Sequence, residues 1–252
     1  MGSIYNFPYD ACTKGIELMQ LCADKVSVVI DGKSVLSSVS VEAKPGRMLV
    51  LAGSSGSGKT TLLNVLGLLG RVQGGGVLVG DKDATKWNDA KRRRFWSNHV
   101  AFVFQDYGLI EEASVGYNVT VGRRGLFGLS QSERERLDRI LEHVLLSGRG
   151  KEQTARLSGG EKQRVGLARA MFRSADIVLA DEPTASLDRR NRELVINFLK
   201  EEARRGATVV VATHDEDLME AGDDLLRLGD FVSQSPEPAV LAIQPGNHQP
   251  GT

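Results

Sequence analysis

The sequence predicts an α/β fold: a mostly parallel β-sheet core, an antiparallel β patch ahead of it, and a helical segment inserted within it. Three observations predict this. Four nearly continuous apolar runs, "RMLVLA", "HVAFVF", "DIVLA" and "ATVVVAT", have the pattern of strands buried on both faces. Stretches of helical period separate these runs. Earlier, the β-rich runs "VSVVI" and "VLSSVSV" are split by "DGK" at Asp31–Lys33 and read as a hairpin.

The elements follow in order. Residues 1–17 show no period and are expected to form an arm before a domain spanning 18–232. After the hairpin, "RMLVLA" leads through a glycine-rich loop into the apolar helix "TTLLNVLGLL". "GGGVLVGD" at 74–81 is a further β element, and "WNDAKRRRFW" a basic helix. From 106 to about 156 the character becomes helical. "SQSERERLDRILEHVLLSG" there reads as a capped amphipathic helix. "EKQRVGLARAMFR" is another helix. "RRNRELVINFLKEEARRG" is a third, closed by Gly206. "DLLRLGDF" is the last expected strand. Residues 233–252, rich in Pro, Gly, Ser and Gln, are expected to form a disordered tail.

Bulk properties narrow the function. Basic and acidic residues are balanced at 32 each, so no overall charge favours nucleic acid or anionic lipid. Cys12 and Cys22 lack metal-ligand spacing and read as reduced thiols. No apolar run reaches the length of a membrane span, and the N-terminus has no leader pattern, so a cytoplasmic location is expected. "KRRRFW" at 91–96 mixes basic and aromatic residues. Its plain reading is a solvated helix face, its sharper one a nucleic-acid or headgroup contact.

Gly53-Ser54-Ser55-Gly56-Ser57-Gly58-Lys59-Thr60 fits G-x-x-x-x-G-K-[ST] at every position, with a strand before it and a helix after it. This predicts a phosphate-loop (RecA-like) NTPase core. Backbone N–H groups of Gly53 to Thr61 and the helix end would cradle phosphates. Lys59 would reach the β- and γ-phosphates, and the Thr60 hydroxyl would ligate Mg²⁺. "IVLADEP" puts Asp181 at the C-terminal end of a buried strand, where it can hold the metal shell. Glu182, next in line, is expected to point elsewhere by strand alternation and to act as general base on water.

"LSGGEKQR" at Leu157 is a second glycine-rich polar stretch. With it, the chain resembles the nucleotide-binding subunits of ABC (ATP-binding cassette) transporters over roughly residues 18 to 232. The remaining motifs fall in that family's order: Gln105 after "HVAFVF", "SLD" at Ser186–Asp188, and His214 in "VVVATHD". The resemblance implies two cassettes packed head to tail around two ATPs. Each ATP would lie between the phosphate loop of one copy and Ser158, Gly159 and Gly160 of the other. Ser158 also has capping-box spacing to Glu161. By the resemblance, His214 contacts the γ-phosphate, Gln105 senses Mg²⁺ and relays nucleotide state, and Asp188 communicates across the dimer. His99, His143 and His248 carry no motif and read as structural.

Two positions depart from the family pattern. Ile30 stands where an aromatic residue usually stacks on adenine; Tyr5, Phe7 or Tyr9 could substitute. Ala101 replaces a usual glycine. The resemblance implies an ATPase partnered by a second copy or a paralogous subunit and by an integral membrane permease, with no nucleic acid. The cassette would lie on the inner face of the cell membrane. "VAFVFQDYGLIEEASVGYNV" and "VLADEPTASLD" look like cassettes of lipoprotein-releasing, macrolide-efflux and bacteriocin-export systems. Export of a peptide, lipoprotein or hydrophobic compound is therefore expected. The competing readings are an importer subunit, a soluble ABC ATPase working on DNA or the ribosome, and a small-molecule kinase. The last leaves "LSGGEKQR" and His214 unexplained.

Overall fold

A computed structural model describes residues 19–104, 106–121, 128–185, 187–229 and the backbone of 244–245. The expectations for the N-terminal arm, Gln105, Ser186 and His248 lie outside them, as does the tail except at 244–245, where a two-residue strand paired with the strand at Asp224–Arg227 replaces the expected disorder.

The hairpin forms as expected. β1 (Leu21–Ile30) pairs antiparallel with β2 (Lys33–Ala43) across a two-residue turn, Asp31 and Gly32, both with positive φ. With β4 (Gly74–Val79) and β5 (Lys82–Asp83) it makes a four-stranded antiparallel sheet in the order β2-β1-β4-β5. The second sheet contains β3 (Met48–Ala52), β6 (Val100–Val103), β7 (Ile177–Asp181), β8 (Thr208–Thr213), β9 (Asp224–Arg227) and β10 (Gln244–Pro245). Its order is β10-β9-β3-β8-β7-β6, parallel throughout except at β10.

The apolar strands are buried on both faces, and alternation sorts their side chains between two cores. Leu49, Leu51, Ile177, Leu179, Val210 and Ala212 pack with the hairpin sheet and α1 (Lys59–Leu66). Met48, Val50, Val178, Ala180, Val209 and Val211 face the other way. There they meet α5 (Gly159–Arg173), α6 (Arg189–Arg204) and the inserted helices α3 (Val115–Thr120) and α4 (Gln131–His143). The insertion is therefore continuous with the main core, through Val115, Val119, Ile140 and Leu141. The cap expected for α4 is present: Ser130 and Glu133 bond reciprocally.

The basic helix α2 (Asp89–His99) corrects one expectation. Arg92 is not on a solvated face but buried. Its guanidinium donates to the carbonyls of Leu68 at 2.8 Å, Gly70 at 3.0 Å, Trp87 at 3.0 Å and Thr85 at 3.3 Å. Trp96 Nε1 donates to Gly67 O at 2.8 Å. Residue type alone hid this, because four backbone acceptors from two segments converge only in the fold. Lys91, Arg93 and Arg94 remain exposed. Burial pushes the Cys22 thiol up, with help from Glu42 and Asp24, as suits an unreactive thiol.

Candidate functional site

β3, β8 and β7 are adjacent and parallel, so their C-terminal ends share one edge, where open α/β sheets bind ligands. The glycine loop leaves β3, Asp181 ends β7, and His214 follows β8. These positions are neighbours by register: Ala52 pairs with Thr213, and Asp181 with Ala212.

The loop needs its glycines. A Cβ on Gly53 would lie 2.5 Å from both Leu228 O and Ser57 Oγ. Gly58 has φ +94°, and a Cβ there would press on Leu36 and on the Val35 carbonyl at 3.1 Å. Lys59 is buried and folds back over the loop. Its Nζ donates to Gly53 O at 2.8 Å and Ser54 O at 2.9 Å and lies 3.7 Å from Glu182 Oε1. Ser57 Oγ is buried with no hydrogen-bond partner among the described residues. A buried hydroxyl left free beside a buried ammonium and a helix start fits an anionic ligand.

Thr60 Oγ1 donates to Asp181 Oδ1 at 3.0 Å. These two oxygens, from a hydroxyl and a carboxylate, suit a hard divalent cation. Burial pushes the Asp181 carboxyl up, and the Thr60 bond opposes that. Such a site gains when a cation supplies the charge that solvent does not.

Glu182 corrects a second expectation. It does not continue the alternation of β7: its φ is +44°, a left-handed turn uncommon for a side chain of this size. The turn aims its carboxylate at the loop. One oxygen is 3.7 Å from Lys59 Nζ, and the other is 2.9 Å from His214 Nδ1 and 3.3 Å from Thr213 Oγ1. No local signal in "ADEP" announces a left-handed glutamate.

Together these residues wall a cleft of about 800 Å³. Ser54, Ser55, Gly56, Gly58, Lys59, Thr60, Thr61, Glu182 and His214 line it, and so does Ile30. Ile30 is 48% exposed.

Ser158, Gly159, Gly160 and Asp188 do not line that cleft. Ser158 caps α5, with Glu161 completing the box, and Gly159 opens the helix. Asp188 caps α6 by accepting from Asn191 N–H at 2.8 Å, and this bond holds its carboxyl below the usual range. Sequence reasoning missed the connection between these two helix starts. Asn191 Nδ2 donates to Asp188 at 2.9 Å, and Arg164 Nη1 donates to Asn191 Oδ1 at 2.7 Å. A Cβ on Gly160 would stand 2.9 Å from Asn191 Nδ2, so the glycine permits this approach. Gln163 donates to Pro183 O at 2.8 Å, and Thr184 to Asp215 Oδ2 at 2.8 Å. The chain beside Glu182 is therefore bonded to both α5 and the segment after His214.

The ABC transporter family profile matches residues 36–185. The macrolide export ATP-binding/permease protein MacB of Sodalis glossinidius is 38% identical over 182 residues, covering 72% of this chain and 28% of that protein. The protein of that name from Bradyrhizobium diazoefficiens is 34% identical over 83% of this chain and 32% of its own length. The chain thus spans about a third of the length of the curated relatives it matches. Among solved structures, the dimer of MJ0796, a bacterial ABC transporter cassette, superposes with a TM-score of 0.75. It is 30% identical, covering 83% of this chain and 94% of that one. A dimeric post-hydrolysis state of MJ0796, bound to ADP and Pi, has a TM-score of 0.75 at 29% identity, with 82% and 94% covered.

Proposed function

The chain belongs to the ABC transporter family of ATP-binding cassettes, and from that premise we propose that it is the motor of an export system. It binds ATP between two copies packed head to tail, hydrolyses it, and drives a separate membrane permease. The observation that carries this reading is the division of the motifs. The loop cleft holds Lys59, Glu182 and His214, while Ser158–Gly160 sit outside it on a different helix. A site shared between copies gives both groups one ligand. The MJ0796 cassettes are dimeric in both structures, which supports a reading in which two copies act together.

The roles follow from the chemistry. Lys59, Ser57 and the loop amides hold the phosphates. Thr60 and Asp181 would hold Mg²⁺, with Gln105 as a further oxygen ligand. The ion, when bound, neutralises phosphate charge and orients the terminal group. Glu182 accepts a proton from the attacking water, and His214, beside it, donates to the terminal phosphate. In the described state these two groups bond to each other and Lys59 to its own loop. Phosphate oxygens would compete for those donors. Ser158, with the N–H groups of Gly159 and Gly160, meets the phosphate from the second copy, and Asp188 faces across the interface.

Export is favoured over import by the MacB relatives, whose name joins an ATP-binding part and a permease. No helix among the described residues is long and apolar enough to cross a membrane; the passage is proposed to belong to the permease. A peptide, lipoprotein or hydrophobic compound is the proposed cargo class. The domain would run from 18 to 232, with 106–156 as its helical insertion.

The test is Glu182→Gln. With ATP and Mg²⁺ it is expected to hydrolyse at least about a hundredfold more slowly and to accumulate as a dimer by sedimentation. Turnover at the parent rate would refute the assigned base. Affinity capture of the same variant from solubilised membranes should recover a multi-pass protein. Recovery of soluble partners alone would favour the non-transport reading.

A further inference from the structure

Ser158 is held on its own helix. Its backbone N–H donates to Glu161 Oε2 at 2.8 Å, and its hydroxyl donates to the same oxygen at 2.9 Å. The other oxygen of Glu161 accepts from Arg149 Nη1. Arg149 lies beyond α4, twelve residues before Glu161. It also grips Glu152, Nε to Oε2 at 2.7 Å and Nη2 to Oε1 at 3.1 Å. The Arg149 bond, followed by that from Ser158 N–H, pulls the Glu161 carboxyl down to about 2. Glu161 therefore carries a fixed negative charge within one turn of the loop that is proposed to meet an anion.

That charge poses two difficulties. It repels an approaching phosphate tail. It also occupies the Ser158 hydroxyl, which has one proton to donate and can serve one acceptor at a time. A guanidinium on the far carboxylate oxygen answers both, because it offsets the charge and draws it toward that oxygen, which weakens the near oxygen as an acceptor for the serine. We propose that Arg149 is a positioning residue for Ser158: by pairing with Glu161 it frees the serine hydroxyl to turn to the terminal phosphate of an ATP held by a second copy. The inference rests on the shared-site reading above.

The experiment uses the full chain carrying Glu182→Gln, so that dimers persist. ATP with Mg²⁺ is titrated and dimer is read by sedimentation velocity. ATP binding to the dilute monomer is measured separately. Arg149→Ala should raise the ATP needed for half-maximal dimer about tenfold while leaving monomer affinity unchanged. Adding Glu161→Gln, which keeps a capping oxygen and removes the charge, should restore the parent value to within about twofold. An Arg149→Ala effect that is absent, or equal with and without Glu161→Gln, would overturn the proposal. Should Arg149→Ala fail to fold, Arg149→Gln, which keeps much of the side chain and removes the charge, takes its place under the same expected and overturning outcomes. If the parent itself forms no dimer with ATP, the shared-site reading falls first and takes this inference with it.

Discussion

Lys59 shows how much the site depends on one ammonium. Burial denies it water, and two loop carbonyls with a carboxylate at 3.7 Å replace that water. The same donors can be given to phosphate oxygens at little cost in reorganisation, because the loop already surrounds them. Lys59→Ala removes charge-assisted bonds and leaves Glu182 with His214 and Thr213 but without the ammonium. ATP affinity is expected to fall about 10- to 100-fold, measured by equilibrium titration of the monomer. An unchanged affinity would show that the loop does not hold the phosphate tail. At this scale the sequence was informative wherever chemistry is packed into consecutive residues. Gly53 to Thr61 could be read directly, since one loop supplies all its parts. The direction of Glu182 could not, because it depends on a left-handed turn set by the chain that follows β7. Arg149, Asn191 and Arg164 were equally silent. Each is an ordinary surface-type residue until the fold delivers its partner from another element.

Among the elements, α2 carries an unusual load. Its Arg92 ties the turn after α1, through the Leu68 and Gly70 carbonyls, to the segment after β5, through Thr85 and Trp87. Leu68 itself has φ +58°, a conformation needing support from its surroundings. Burial drives the Arg92 guanidinium's own pKa down, a sign of how much water it has lost. Arg92→Met keeps the side-chain volume but orphans the buried carbonyls. Its expected cost is about 3 kcal/mol, read as a lower urea midpoint with unchanged slope. A change below about 0.5 kcal/mol would mean that water replaces the guanidinium and that α2 is not a structural tie. Strand and helix identities were legible here because apolar period survives in the sequence: β3, β7 and β8 are continuous apolar runs, and α4 announces its own cap. What α2 does was not, since its "KRRRFW" run reads as surface until the backbone acceptors converge.

At the scale of the whole molecule, the geometry has a consequence that no single site variant tests. One chain carries two loops proposed to meet phosphate, but only the first lines the cleft. If each ATP is shared between copies, a defect in Lys59 and a defect in Ser158 should complement when they lie on different chains. Mixing Lys59→Ala with Ser158→Arg creates mixed dimers in which one site has lost both contributions. The other site pairs an intact Lys59 from one chain with an intact Ser158 from its neighbour. Dimers of either variant alone have no intact site. With free exchange about half the dimers are mixed, and each keeps one of two sites. The mixture is therefore expected to regain up to about a quarter of the parent ATPase rate, while each variant alone stays near background. A site built within one chain predicts the opposite: no recovery at any mixing ratio, because neither chain then holds both groups. Coupling between the two sites would lower the recovered rate, but ATP-dependent formation of the mixed dimer, followed with a size tag on one chain, would still separate the two arrangements. The bonded path from Glu182 through Pro183 and Gln163 to α5 would give that coupling a physical route, since the helix proposed to serve one ATP is fastened to the residue proposed as base for the other.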